Sequence, residues 1–184
     1  MTSHAGSIIE QASGVSLLTS SNTIALKAGE TTKGTTSVGT LADAINTQSS
    51  GAGTINATAG SGGIFIDEAD AGIIGTVTTT GAGNIKIQNL AAGTLSSSGV
   101  VSSTGAGTID LLSLGALSLG ANVTTVNAAV TLAADTDGNG LAAEKFEQTA
   151  GTISSGGGTV GSAGGTARGG GGGAGPRANH AGAG

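Results

Sequence analysis

The side chains best suited to chemistry in this 184-residue sequence stand in one short run, Asp135-Thr136-Asp137-Gly138-Asn139-Gly140. Oxygen donors at its first, third and fifth positions, followed by glycine at the sixth, match the opening of a calcium loop of the EF-hand type, where glycine permits the sharp turn that lets the donors converge. Asp135, Asp137 and Asn139 are therefore the candidate calcium ligands. The pattern then breaks. Its twelfth position, which needs a bidentate glutamate, is Phe146, and Glu144 and Glu147 flank that place without filling it. Upstream, Val130-Thr131-Leu132 has the character of a strand instead of an entering helix. The competing reading is a plain Asp/Asn/Gly-rich corner that holds no ion.

A second acidic group, Asp67, Glu68 and Asp70, raises the question of glycoside hydrolysis, which needs two carboxyls at a defined separation across a cleft. Asp67 and Glu68 would point to opposite faces of a strand, and the expectation is a solvated acidic corner. His4 and His180 lie near the two ends without companion ligands. No serine sits in a nucleophile elbow, and the glycine run 169–173 lacks the Lys-Ser/Thr ending of a phosphate loop. Asn56-Ala57-Thr58 and Asn122-Val123-Thr124 match the glycosylation sequon at chance level, and Lys86 reads as an exposed strand residue. No catalytic residue and no cofactor is assigned; the chain is expected not to be an enzyme.

These residues must be positioned by a chain of small side chains. Gly, Ala, Thr and Ser supply 113 of the 184 residues, there are two Phe and no Trp or Tyr, and acidic residues outnumber Lys and Arg by 11 to 6. Such a composition lacks the aromatic stacking platforms and basic surface that nucleic acids require. Without cysteine there is no disulfide framework, thiolate nucleophile or Cys-based zinc site. The first ten residues lack the basic and apolar regions of an export signal, and no stretch approaches the roughly 18 apolar residues of a membrane-spanning helix.

Order is signalled by a recurring phrase, Gly-Ala-Gly-(Thr/Asn)-Ile, at 51–55, 81–85 and 105–109, each copy leading into a short strand-like run. Further runs of period two occur at 63–66, 75–78, 94–96, 115–119 and 130–132. Three strands of three to five residues, turned at Gly, Asn or Asp, fill one interval of 24 to 30 residues, which is one coil of a parallel β-helix. Stacking should bring Ile55, Ile85 and Ile109 into register inside, with alternate Thr and Ser facing solvent. Residues 41–45 and 141–146 could be short helices or irregular excursions. Residues 1–160 form the expected β-helix region, about five coils, and 161–184, with 11 Gly and the single proline Pro176, a flexible tail.

The run Gly62-Gly63-Ile64-Phe65-Ile66-Asp67-Glu68-Ala69-Asp70, with 75–79, 83–87, 115–119, 129–135 and 148–158, resembles the strand repeats of filamentous-haemagglutinin-like large exoproteins of bacteria. The resemblance covers roughly residues 6–160 and implies a right-handed parallel β-helix, a rod in a long secreted or surface-attached adhesin. Its partners would be host or neighbouring-cell polysaccharide or protein, and the adjoining coils of a longer protein. The family's export signal and secretion-recognition domain are missing here, so the chain is expected to be a fragment, an internal segment or a truncated gene product. Alternatives are a calcium-dependent carbohydrate-binding or assembly module, a β-helical polysaccharide-degrading enzyme, and a non-functional gene fragment.

Overall fold

Ile, Leu and Val recur at every second position, separated by residues such as Lys86, Asp110, Ser118 and Thr131, and in the computed structural model these runs are strands. The structure describes residues 1–9, 17–20, 22–31, 34–49 and 53–164. After β1 (Thr2–Ser3), a first coil comprises β2 (Leu17–Thr19) and β3 (Thr23–Ala28), and a second β4 (Ser37–Val38), β5 (Ile45–Gln48) and β6 (Thr54–Ala59). The third is β7 (Gly63–Glu68) with the long β8 (Gly72–Thr79); the fourth is β9 (Ile85–Asn89), β10 (Leu95–Ser97) and β11 (Val101–Ser103). The fifth is β12 (Ile109–Ser113), β13 (Leu117–Leu119) and β14 (Val123–Thr124), and the sixth β15 (Val130–Ala133), β16 (Phe146–Gln148) and β17 (Ile153–Ser154). β18 (Val160–Ala163) opens a seventh.

The chain alternates between two sheets of parallel strands, the topology of a solenoid-like all-β fold. One sheet stacks β2, β5, β7, β9, β12, β15 and β18 in chain order, with β4 also on β7. The other stacks β1, β3, β6, β8, β10, β13 and β16, and its second column, β11, β14 and β17, continues from the far end of β8. Each level places an aliphatic side chain over the one below: Ile64, Ile85, Ile109 and Val130 pair in turn in the first sheet, and Val77, Val101 and Val123 in the second. All seven are buried. At the 4.7–4.9 Å spacing of paired strands, every coil covers the apolar face of its neighbour, which no single coil could do for itself.

Ile85 and Ile109 share a register as expected, but Ile55 does not join them; it lies in the opposite sheet, paired with Ile24 and Ile74. The Gly-Ala-Gly phrase marks a corner, and each coil has more than one. The 24 residues from Ile85 to Ile109 are one coil, whereas the 30 from Ile55 to Ile85 run from one sheet past a full coil into the other. Neither 41–45 nor 141–146 is helical: both are excursions that re-enter a strand, at β5 and β16. β18 crosses the expected boundary at 160, and residues 165–184 lie outside the described residues, as do His180 and the glycine run.

Corners explain the glycine content. A Cβ added at Gly83 would meet the carbonyl oxygen of Gly60, and one at Gly107 that of Gly83, so coils pass one another there with no room for a side chain. Hydroxyls fill the remaining polar need. Thr79 Oγ1 donates to Gly83 O at 2.7 Å, Ser103 Oγ to the same oxygen at 3.1 Å and Thr125 Oγ1 to Gly107 O at 2.6 Å, all from buried positions. Thr and Ser thus line the outer faces of the strands but turn inward near the strand ends, next to corners whose carbonyls the ladder does not use.

Candidate functional site

The acidic run occupies residues 134–145, a twelve-residue excursion between β15 and β16 where the coil beneath needs only 114–116. Both feet of the excursion rest on that lower corner: Asp135 and Thr136 donate their N–H groups to Gly115 and Ser113 O, and Lys145 O accepts from Leu117 N, each at 3.1 Å. Left-handed backbone at Asp135 (φ 53°), Gly138 (68°) and Gly140 (71°) bends the chain between them. Asp135 Oδ1 accepts from Gly140 N at 3.3 Å, and Asp137 accepts from both Asn139 N (3.3 Å) and Asn139 Nδ2 (2.9 Å).

Asp135 and Asp137 come together as the sequence suggests, and the third acid of the group is Glu144: one carboxylate oxygen from each of the three lies within 4.8 Å of the other two. Glu144, out of place in a loop counted by residue number, is therefore in place in space. Asn139 stands differently. Its Oδ1 accepts from Leu141 N at 3.0 Å while its amide holds Asp137, so it positions that carboxylate. Glu147 instead pairs with Lys145 at 3.6 Å on the surface.

The second acidic group is not a solvated corner. Ile64 and Ile66 point inward in β7, and the same alternation carries Glu68 inside, where it is 0% exposed; Asp67 faces out. Its register neighbours are Thr47 and Asn89, and Asn89 pairs with Ser113, a buried polar column at the end of the first sheet. Thr47 Oγ1 donates to Glu68 Oε2 at 2.6 Å and Ser49 N to Oε1 at 2.7 Å. Burial pushes the Glu68 carboxyl above its ordinary value of 4.5; these two donors work against that, and the nearby Asp70 carboxylate works with it. Asp70 Oδ2 accepts from Gln48 Nε2 at 3.4 Å, whereas Oδ1 is shut from solvent without a donor. Glu68 is enclosed while Asp67 faces out, so the two carboxyls stand on opposite faces of β7.

On the outer face of the same sheet the 39–44 excursion borders an open groove of about 160 Å³, lined by Asp43, Asn46, Phe65, Asp67, Lys86 and Gln88. That is below the roughly 300–1,000 Å³ of small-molecule pockets. Lys86 is half-buried on the groove wall. His4 Nδ1 lies 3.4 Å from Glu30 on the surface, and the sequon residues Asn56 and Asn122 accept from Thr76 N and Thr152 N at 2.7 and 2.9 Å, linking successive coils.

No family model, no curated protein and no solved structure matches the chain.

Proposed function

We propose that this chain is a non-catalytic structural segment of a bacterial secreted or cell-surface adhesin-like exoprotein of the filamentous-haemagglutinin kind. Its coils would form a right-handed parallel β-helix that holds distant binding regions apart, with adjoining coils of a longer protein above and below. The observation that carries this reading is the parallel register kept level after level, with aliphatic residues inside and Thr, Ser, Asn and Gln along the outer faces. Right-handedness rests on the strong preference of parallel crossover connections for that hand. The outer faces suit weak, extended contacts with polysaccharide or protein, because they offer many hydroxyls and amides and few aromatic anchors.

A rod has a length, and this one is testable. The first sheet runs through seven strands from β2 to β18, so its six steps span about 29 Å. Spin labels on cysteines introduced at the exposed Thr19 and Gly161, which stand four residues apart along the strand direction, should give one narrow distance of about 32 Å between the two backbones, lost in a cooperative thermal transition. A broad distribution in native buffer would overturn the rod, and release of reducing ends from acidic or neutral glycans would overturn its non-catalytic character.

A further inference from the structure

One carboxylate in the 134–145 excursion is unexplained by the fold that buries it. Glu144 is 5% exposed, its Oε2 is closed to solvent, and no hydrogen-bond donor meets that oxygen. A buried carboxyl oxygen calls for a partner, and this one has none in the fold. No side chain among the described residues provides it: the ion pairs His4–Glu30, Lys27–Glu30 and Lys145–Glu147 leave out Glu144, Asp135 and Asp137. Instead, two further carboxylates converge on it. Three acids gathered without a cation, one of them buried with an orphan oxygen, are the complement of a metal ion.

We propose that Asp135, Asp137 and Glu144 form a binding site for a divalent cation of calcium's size. Calcium takes six to eight oxygen ligands at about 2.3–2.6 Å in flexible geometry, and oxygens lying within 4.8 Å of one another are near enough to share one such ion with small side-chain adjustments. Magnesium demands a near-ideal octahedron at about 2.0–2.1 Å and gives up its waters reluctantly, so it is usually held by one or two carboxylates and suits a three-carboxylate site less well. Asp137 is exposed and Asp135 partly so, which leaves that side open for waters to complete the shell. Asn139 is a positioning residue that fixes Asp137. The site is not an EF-hand: two ligands come from the start of the excursion and the third from its end. Both ends are anchored on the corner beneath, so the ion would close the excursion at its neck.

The test is a calorimetric titration of the full chain with calcium chloride after removal of ions by EDTA and dialysis, repeated with magnesium chloride. The expected result is a saturable one-to-one isotherm with Kd in the range of about 10⁻⁴ to 10⁻³ M typical of extracellular modules, because open, partly exposed ligands hold the ion loosely, and a weaker one for magnesium. Glu144→Gln and Asp137→Asn should each weaken calcium binding at least tenfold, while Asp110→Asn, on the outer face of β12, leaves it unchanged. Should Glu144→Gln fail to fold, Asp137→Asn on the exposed turn carries the same test. No saturable heat up to 10 mM calcium, equal affinity in Asp137→Asn, or magnesium binding tighter than calcium would each overturn the proposal.

Discussion

Replacing Gly83 by alanine should destabilise the stack although it adds a single methyl group. A Cβ there lies 2.5 Å from Gly60 O in the coil below and 2.8 Å from Thr79 Cβ, where ordinary van der Waals contact begins at 3.4 Å; the shortfall against the carbonyl is about 0.9 Å. Neither neighbour is the free end of a flexible side chain, so the corner itself must lift. That corner is held by Ile64 N donating to Asn84 O at 2.8 Å, and by the Thr79 and Ser103 hydroxyls donating to Gly83 O at 2.7 and 3.1 Å. A lift of about 0.9 Å stretches two or three of these bonds past useful length, and at about 1 kcal/mol each the loss is about 2–3 kcal/mol. For a chain of this size the melting midpoint should fall by about 4–12 °C. The control is Gly161→Ala, also in a strand region but with no atom within 4 Å of the added Cβ, which should hold or raise the midpoint. Thermal melts followed by far-ultraviolet circular dichroism read both variants. Equal midpoints for Gly83→Ala and the parent chain would refute the argument that glycine is there to let coils pass.

Ile109→Ala should lose about 2–5 kcal/mol, because Ile109 is fully buried between Ile85 and Val130, and Ile109→Asp should show no cooperative transition by circular dichroism. Thr125→Val keeps the shape but strips the donor from Gly107 O and Gly105 O, and should lose about 1–3 kcal/mol in a urea titration. Glu68 binds its proton more tightly folded than unfolded, so stability should decline as pH rises from about 4.5 through its raised folded value and then level off. Glu68→Gln should remove that decline and melt higher than the parent at neutral pH; parallel profiles of midpoint against pH for the two chains would refute it.

Much of the fold is legible in the sequence because period two is a local property. The runs at Ile64, Ile85, Ile109 and Val130 announce strands by themselves, and β7, β9, β12 and β15 stand on them. Which strands stack is a property of the whole coil, and the repeated Gly-Ala-Gly phrase misleads there: it reports a sharp corner without saying which one, so Ile55 falls in the other sheet. Glu68 was within reach of the alternation that places Ile64 and Ile66 inside; the acidic character of its neighbours obscured it. Glu144 is missed when ligands are counted along a loop. A signal for it exists, because Leu117 of the regular corner aligns with Phe146, so an excursion from 134 to 145 must return to its starting place and bring its two ends together.

That return has a consequence for how such a chain can change over time. A connection of three residues in one coil and twelve in the next joins equivalent strands without disturbing the pairing on either side. Closing the longer loop costs only about 1 kcal/mol more. The corner after the first sheet is thus a place where lineages could gain or lose whole peptides while the scaffold stays the same, and where a protein engineer could graft a foreign epitope at a fixed height along the axis.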